Sequence, residues 1–477
     1  MKKFGAILGI LGILGLSFSS CSFAPKYKKP SIALPSKKSF TLSKGNFKVS
    51  WGWWKRFKNP QLNHLIELAL KNNDDLKIAT AKLEEVMALA GLKKAQLFPL
   101  IGYKAQVSRT KIPEDLENSI EGFGAMLRIP IDVENPKTSY NILTSISYEL
   151  DFWGKLRNAR KSALARVLAV KAMRDTIKIS LVSGVVELYY NLVAINKELK
   201  TALSLETSLK DIYELKKKQS KLGLVNKIEV YQAKARYEEV KKVVEELKRL
   251  REELKSALAY LVGETPKELF EKDIKVSGDL PNDLELPSML PSQVLLKRPD
   301  IVMAEQELRA ANFDIGVAKA EYFPSITLTG YAGSLSSEFK NLMKSSTIFW
   351  SVGAGITGPI FTFGRIKAQV KFAEAKQKEA LLNYIKTVKK AFKEVYTALK
   401  NIEYAKKQLK IEEERLNTLK KAWEVAKGQY ENGLIDEDKV LALKSLYLQA
   451  KLDVIKTKTQ LVKYYIYLYK ALGGGIY

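Results

Sequence analysis

The chain has one cysteine and one histidine among 477 residues. A lone cysteine, Cys21, excludes any intrachain disulfide. A lone histidine, His64, leaves almost no material for imidazole metal sites or for nucleophile–base triads. No phosphate-binding glycine loop and no nucleophile elbow occurs. Acidic residues are in short supply, 52 Asp and Glu against 79 Lys and Arg, for a net charge of +27. Long apolar runs are missing too. The longest, Phe4 to Phe18, falls short of the roughly 20 residues that a transmembrane helix needs. Proline is absent from two long stretches, 154–223 and 364–433. Unbroken helices of roughly 65 residues there would reach about 100 Å. These shortages point away from an enzyme, from a disulfide scaffold and from a bundle of membrane helices.

The ends show where the chain goes. Lys2 and Lys3, the apolar run and Phe18-Ser19-Ser20-Cys21 form a secretory signal over residues 1–20. Small residues directly before a cysteine make Cys21 the expected site of lipid attachment. An exported protein does not meet nucleic acid, so the basic surplus reads as solvated helix faces where Lys and Glu interleave at i,i+4.

What the chain has in abundance is internal repetition. Residues 90–101, AGLKKAQLFPLI, return as 315–326, IGVAKAEYFPSI. Trp153-Gly154-Lys155-Leu156-Arg157 answers Phe363-Gly364-Arg365-Ile366-Lys367, and Gly223-Leu224-Val225 answers Gly433-Leu434-Ile435. The step from Gly154 to Gly223 equals the step from Gly364 to Gly433. Two long copies point to a duplicated subunit rather than a solenoid.

Each copy alternates strands with long helices. Ile101, Tyr103, Ala105 and Val107 alternate with polar or small residues. So do Ile142, Ile146, Tyr148 and Leu150, then Ile326 and Leu328, then Trp350, Val352, Ala354 and Ile356. The strands are about ten residues long, with aromatics near their ends, as in a membrane barrel. Four strands cannot close a barrel, and open edges are forbidden in lipid, so a membrane reading requires several subunits. Leu181, Val185, Leu188, Leu192, Ile195 and Leu199 recur at spacings of four and three, as do Ile385, Val388, Phe392, Val395, Leu399 and Ile402. Both rows read as coiled-coil seams. Gly223 and Gly433 end these helices. The expected organisation is an arm at 21–60 and a first repeat at 61–262, with its hairpin at about 98–153 and long helices at 154–262. A Pro-rich connector at 263–292 follows. The second repeat spans 293–472, with its hairpin at about 323–363 and long helices at 364–472, before a tail at 473–477. The first hairpin is the longer, and its excess is expected as an irregular polar loop at 109–139.

The residues Cys21, Ala24-Pro25, Tyr27, Trp53-Trp54, Phe57, Pro60 and Leu62 resemble a known pattern. So do Arg298-Pro299-Asp300-Ile301, Ala304-Glu305, Leu308, Ala310-Ala311 and Ile315-Gly316 before Phe323-Pro324. The pattern is that of the outer-membrane factor family, the TolC/OprM-like efflux ducts, in its lipoprotein branch. The resemblance implies an α+β membrane protein. Three identical subunits would form a 12-stranded outer-membrane β-barrel, four strands each, continued by a long periplasmic α-helical barrel. It implies a passive duct for small molecules in a tripartite pump, partnered by a periplasmic adaptor and an inner-membrane transporter, in contact with outer-membrane lipid and without a cofactor. Type I protein secretion or metal-ion efflux are the alternatives within this architecture, and a pore-less periplasmic lipoprotein is the alternative outside it.

In such a duct Lys104, Glu149 and Asp151 would face the lumen, either for selectivity or as the hydrated side of any barrel. The gate would lie on the helix returns, at Glu229, Tyr430, Asp436, Asp438 and Lys439. Glu229 and Lys439 occupy equivalent places in the two copies and are expected to face each other. Asn226 with Glu229 also reads as a capping box, and Asp436 as an N-cap. Gly223, Leu224, Val225, Gly433, Leu434 and Ile435 would form adaptor-docking tips, or the two apolar pairs would pack back as helix C-caps. No metal site is expected.

Overall fold

The computed structural model describes residues 22–30, 50–129, 134–271, 276–281, 284 and 295–476. The signal segment, Cys21 and much of the connector lie outside them. In chain order the elements are α1 (Pro60–Asn72), α2 (Asp74–Ala95), β1 (Leu100–Thr110), α3 (Glu114–Met126), β2 (Lys137–Leu150), α4 (Lys155–Lys221) and α5 (Lys227–Val262). There follow α6 (Pro266–Glu271), α7 (Pro299–Ala320), β3 (Ser325–Ser336), β4 (Ile348–Thr357), α8 (Arg365–Glu431) and α9 (Glu437–Ala471). The described residues fall into two compact units. One holds 22–29, 85–167 and 307–380; the other holds 30, 50–84, 168–306 and 381–476.

The first unit is built on one antiparallel sheet of order β1-β2-β3-β4. Its register gathers the apolar set on one face. Ile101 lies opposite Ile146, Ala105 opposite Ile142, Tyr148 opposite Leu328, and Ile326 opposite Ile356. The other face carries mainly small and polar residues, with Gly102 opposite Ser145, Ser147 opposite Thr329, and Thr329 opposite Gly353, together with Leu143, Tyr331, Leu335 and Phe349. A slip of one residue would exchange the two sets, so the alternation itself fixes the register. β1 and β4 are each paired along one side only, and every residue of β4 is exposed.

Within 109–139 the structure departs from the irregular loop expected there, because the segment contains α3. Its first turn carries Glu114, Asp115 and Glu117, which favour a helix N-terminus through the macrodipole. The carbonyl of Pro113 accepts the amides of Leu116 and Glu117. Gly122 and Gly124 mask this helix in the sequence by lowering its propensity.

The segment after Cys21 is strapped to the same unit. The Phe23 ring stacks on Phe323 at 4.6 Å, Ser22 donates to Asn158 Oδ1 at 3.1 Å, and Asn312 Nδ2 donates to the Pro25 carbonyl at 2.7 Å. This strap explains one of the repeated glycines. A Cβ on Gly316 would stand 2.6 Å from Asn158 Nδ2 and 2.8 Å from the backbone of Ala24, whereas one on Gly91 would meet nothing within 4 Å.

The second unit holds the largest core. The face of α1 formed by Leu62, Leu65, Ile66 and Ala69 is fully buried. It packs in one cluster with Val182, Val185, Tyr189 and Leu192 of α4, Leu258 of α5, Val395 and Ile402 of α8, and Val462, Tyr465 and Tyr469 of α9. Each large side chain buried this way contributes about 1.5–3 kcal/mol of transfer free energy. Trp53 stacks on Tyr469 at 4.8 Å. Asn59 caps α1 by accepting the Leu62 amide at 3.0 Å, and its own amide donates to the Tyr189 hydroxyl at 2.7 Å. Tyr189 donates in turn to the Ser277 carbonyl at 2.8 Å; burial pushes its pKa up and keeps it a neutral donor. The coiled-coil rows largely face this core, with Leu181, Val185, Leu192, Ile195 and Leu199 buried from the first copy and Val388, Val395, Leu399 and Ile402 from the second. By composition, α4 also contains one apolar window long enough to cross a membrane, but 67% of that window is buried in the fold.

The Arg298-Pro299-Asp300 run turns out to be a clamp. Pro299 is the first residue of α7, where its missing N–H costs nothing. Arg298 is buried and forks onto Asp300, with Nε to Oδ1 at 3.0 Å and Nη2 to Oδ2 at 2.7 Å. Its Nη2 also donates to Glu394 of α8 at 2.8 Å, and Nη1 donates to the carbonyl of Ala471 at the end of α9, at 2.7 Å. One guanidinium thus ties the starts and ends of the second repeat together. Arg298→Met leaves the partly buried Asp300 without its cation and Glu394 with only Lys390, 3.8 Å away, which costs about 3 kcal/mol. The expected readout is a clearly lowered thermal midpoint in detergent, followed by circular dichroism.

Candidate functional site

The site is built on the two helix returns of the second unit. α4 and α8 are each 67 residues long and end at glycines in the left-handed conformation, Gly223 at φ 73 and Gly433 at φ 70. The same pair of hydrogen bonds closes each helix. Leu224 N donates to the Gln219 carbonyl and Leu434 N to that of Gln429, both at 2.9 Å. Gly223 N donates to the Ser220 carbonyl at 3.1 Å and Gly433 N to that of Tyr430 at 2.8 Å. This is the Schellman closure, which any residue with a Cβ would strain.

The starts of the return helices differ. Asn226 caps α5 through its side chain, accepting the Glu229 amide at 3.1 Å. Asp436 holds the matching position on α9 but makes no side-chain cap, and Lys439 N bonds the Asp436 backbone carbonyl at 3.1 Å. The turn tips split as well. Leu224 and Leu434 project, 70% and 72% exposed, while Val225 and Ile435 are half-buried. Apolar exposure concentrates on the first return. Leu222, Ile228 and Tyr231 are exposed there, and their counterparts in the second copy are Asn432, the half-buried Asp438 and the buried Leu441.

The charged centre is an ammonium between two carboxylates. Lys216 of α4 reaches Glu229 Oε2 of α5 at 3.0 Å and forms an ion pair with Asp438 of α9. Its side chain is only 18% exposed. Three helices are joined through one residue. The expected pairing of Glu229 with Lys439 is therefore not what a single chain forms. Lys439 stands exposed, one residue further around α9 from Asp438 and so turned by about 100°. Asp436 and Glu437 are also exposed, and Tyr430 is 43% exposed on the last turn of α8. Lys216 escapes sequence reading because α4 is full of lysines. The signal that singles it out is the comparison of the two copies. Lys216 answers Ala426 and Ile228 answers Asp438, so each copy supplies one half of the pair.

On the sheet, Lys104 is exposed on the polar face opposite Leu143, and Glu149 is half-buried opposite Thr327. Asp151 is occupied differently. Its carboxylate accepts the amides of Leu156 at 3.0 Å and Arg157 at 2.9 Å, and the Arg157 Nε at 2.9 Å, so it caps the start of α4. Among the described residues no group of three or more metal-ligating side chains converges.

The comparisons decide the family. The chain matches the family model described as an outer membrane efflux protein over residues 65–264 and 290–474. It belongs to that family. It is 31% identical to the probable outer membrane lipoprotein SilC of Salmonella typhimurium over 462 residues, covering 95% of each chain. It is 30% identical to the cation efflux system protein CusC of Escherichia coli over 472 residues, covering 97% of this chain and 98% of that one. Among solved structures it is similar to the CmeC outer membrane channel of Campylobacter jejuni, with a TM-score of 0.86 at 28% identity over 96% of this chain and 95% of that one. The chain is thus a subunit of an outer-membrane efflux channel. In this α+β membrane protein the strands supply the barrel and the long helices the periplasmic part.

The Lys216 contact sets a pH expectation. Hydrogen bonding to Asp438, and then to Glu229, holds the Lys216 pKa above its ordinary value of 10.5. A raised lysine pKa adds stability that is complete below the ordinary value and disappears as pH rises through the higher folded value. Across pH 7 to 9 Lys216 stays protonated, so this contact should add no pH dependence to the thermal midpoint in that range, and its contribution should fall away only above pH 10.5.

Proposed function

We propose that three copies of this chain form one passive duct, the outer-membrane exit of a tripartite pump. A periplasmic adaptor would link it to an energised inner-membrane transporter. The open edges of β1 and β4 support the trimer, since a closed ring is the only arrangement that satisfies them in lipid. Cys21 carries the lipid anchor, next to the strap that begins at Ser22. The duct is gated at the helix returns, where Lys216 latches Glu229 and Asp438 and keeps three helices of each subunit together. Asp436, Glu437 and Lys439 lie exposed beside that latch, with Tyr430 on the neighbouring turn. Leu224 and Leu434 at the tips, with Ile228 and Tyr231 beside the first, give the adaptor its apolar footing. No step of this mechanism calls for catalysis or a cofactor.

The observation that carries the reading is the single ammonium shared by carboxylates from two different repeats. Small molecules are the cargo we favour. Metal-ion efflux is the second reading, prompted by the likeness to CusC, and the transporter that copurifies with the duct discriminates between them. The gate is tested in planar bilayers. Lys216→Met removes the shared cation and leaves two carboxylates close together, so single-channel conductance is expected to rise several-fold. Lys216→Arg should retain the low value. Conductance equal to that of the unaltered protein in Lys216→Met would sink the latch.

A further inference from the structure

The two outward loops of the sheet carry complementary surfaces that do not meet within one chain. The first is the N-terminal turn of α3. Glu114 and Asp115 have no cationic partner among the described residues, and Leu116 beside them is 51% exposed. That turn is held firmly against the top of the sheet. Asn135, two residues before β2, accepts the Ile112 amide at 3.0 Å and donates to the Ile112 carbonyl at 3.0 Å, and its amide also contacts Glu117. The second surface is the loop between β3 and β4. Ser334 donates to the Leu342 carbonyl from beneath, and the Thr347 hydroxyl donates to the Lys344 carbonyl at 2.8 Å. Leu342 is buried by this folding, while Met343 is 83% exposed. Lys340 pairs with Glu338 two residues before it, and Lys344 acts on the same carboxylate from beyond ion-pairing distance, so the loop keeps one positive charge in excess.

Strand closure determines where these surfaces go. In a closed ring β4 of one copy pairs with β1 of the next, antiparallel and about 4.8 Å away. Keeping the apolar set of both strands on one face and overlapping their full lengths brings Ile348, the first residue of β4, level with the top of β1 near Arg109. Lys344 lies four residues before Ile348, and Glu114 lies four residues after Thr110. Both surfaces therefore stand over the same subunit junction, within the reach of a few extended residues.

We infer that the β3–β4 loop clasps the first turn of α3 of the neighbouring copy, with Lys340 and Lys344 against Glu114 and Asp115, and Met343 against Leu116. Each junction would then have a second lock beyond the β4–β1 ladder, outside the membrane. The occupant of the α3 turn is a second copy of this chain rather than a lipid surface, because an acidic turn is repelled by anionic headgroups and attracted by a loop whose lysines outnumber its one carboxylate. The inference rests on the ring of three copies proposed above.

The test is a cysteine pair, Asp115→Cys with Lys344→Cys, oxidised in the detergent-solubilised protein, run on denaturing gels and compared with each single variant. Covalent dimers and trimers are expected from the double variant only. A trimeric native mass without interchain disulfide would overturn the clasp and leave the ring standing. A monomeric native mass would overturn both. As a second measurement, the charge reversal Lys340→Glu with Lys344→Glu is expected to lower the temperature at which the trimer dissociates in SDS. Glu114→Lys with Asp115→Lys should restore it, whereas failure of this rescue would count against the clasp.

Discussion

A β-strand in lipid must have both its edges paired, and this chain has only four strands to offer. The apolar face of the sheet requires lipid or another apolar surface, yet β1 and β4 each present a full row of unpaired N–H and C=O groups. No side-chain arrangement within the subunit relieves that conflict. It is relieved only by other copies, and the chain's other features follow from that. The sheet register is strict because a slip would turn apolar residues into the lumen. The small residues of the polar face, Gly102, Ser145, Ser147, Thr329 and Gly353, keep a side clear that has to stay hydrated. The long helices continue from a ring and inherit its symmetry.

Duplication makes such a ring economical, but the structure uses its two copies unequally. The glycine at 316 is required because the strap following Cys21 passes over it, whereas its twin at 91 is unconstrained in one chain. The Schellman closures at 223 and 433 match bond for bond, because both copies must reverse direction in the same way. Around those closures the copies diverge, and there the chemistry collects. A lysine stands in one where the other has alanine, and an aspartate stands in one where the other has isoleucine. A pair divided this way between repeats cannot be satisfied inside either repeat alone. It couples them.

The sequence made the fold legible where pattern and physics coincide. Period-two alternation located all four strands, proline-free stretches located the two long helices, and glycines located their ends. What it could not reveal depended on three-dimensional proximity without a local signal. α3 was hidden by the glycines that lower its helix propensity, although Leu116, Ile120, Phe123 and Met126 do recur at helical spacing. Lys216 was hidden among similar lysines. The pairing of Glu229 was read from its equivalence with Lys439, but equivalence under the repeat places two residues at the same height without making them face each other. Asp151 looked like a lumen charge because it continues a strand alternation; the strand stops at Leu150, and the carboxylate turns to cap α4. Arg298 was legible as a marker but not as a clamp, since its partners Glu394 and Ala471 lie far along the chain.

The strength of the Lys216 contact also limits what a gate there can be. Moving a two-state element from about 1:99 to 99:1 takes about 5.5 kcal/mol, or roughly 1.8 kcal/mol for each of three copies. A well-exposed ion pair supplies only about 0–1 kcal/mol. Lys216 is mostly shielded, yet Glu229 is 42% exposed and Asp438 is 26% exposed, so the contact lies above the exposed range without approaching a fully buried triad. Three such contacts can hold a closed state against thermal opening but not against a partner that binds the open state better. In the gate proposed above, most of the opening free energy would therefore come from docking, and the exposed apolar row Leu222, Leu224, Ile228 and Tyr231 is the surface that burial would use. That row sits on the return that also carries Glu229. A partner covering it would press directly on one arm of the proposed latch, so in that reading the apolar exposure and the shared ammonium would act as one device rather than two.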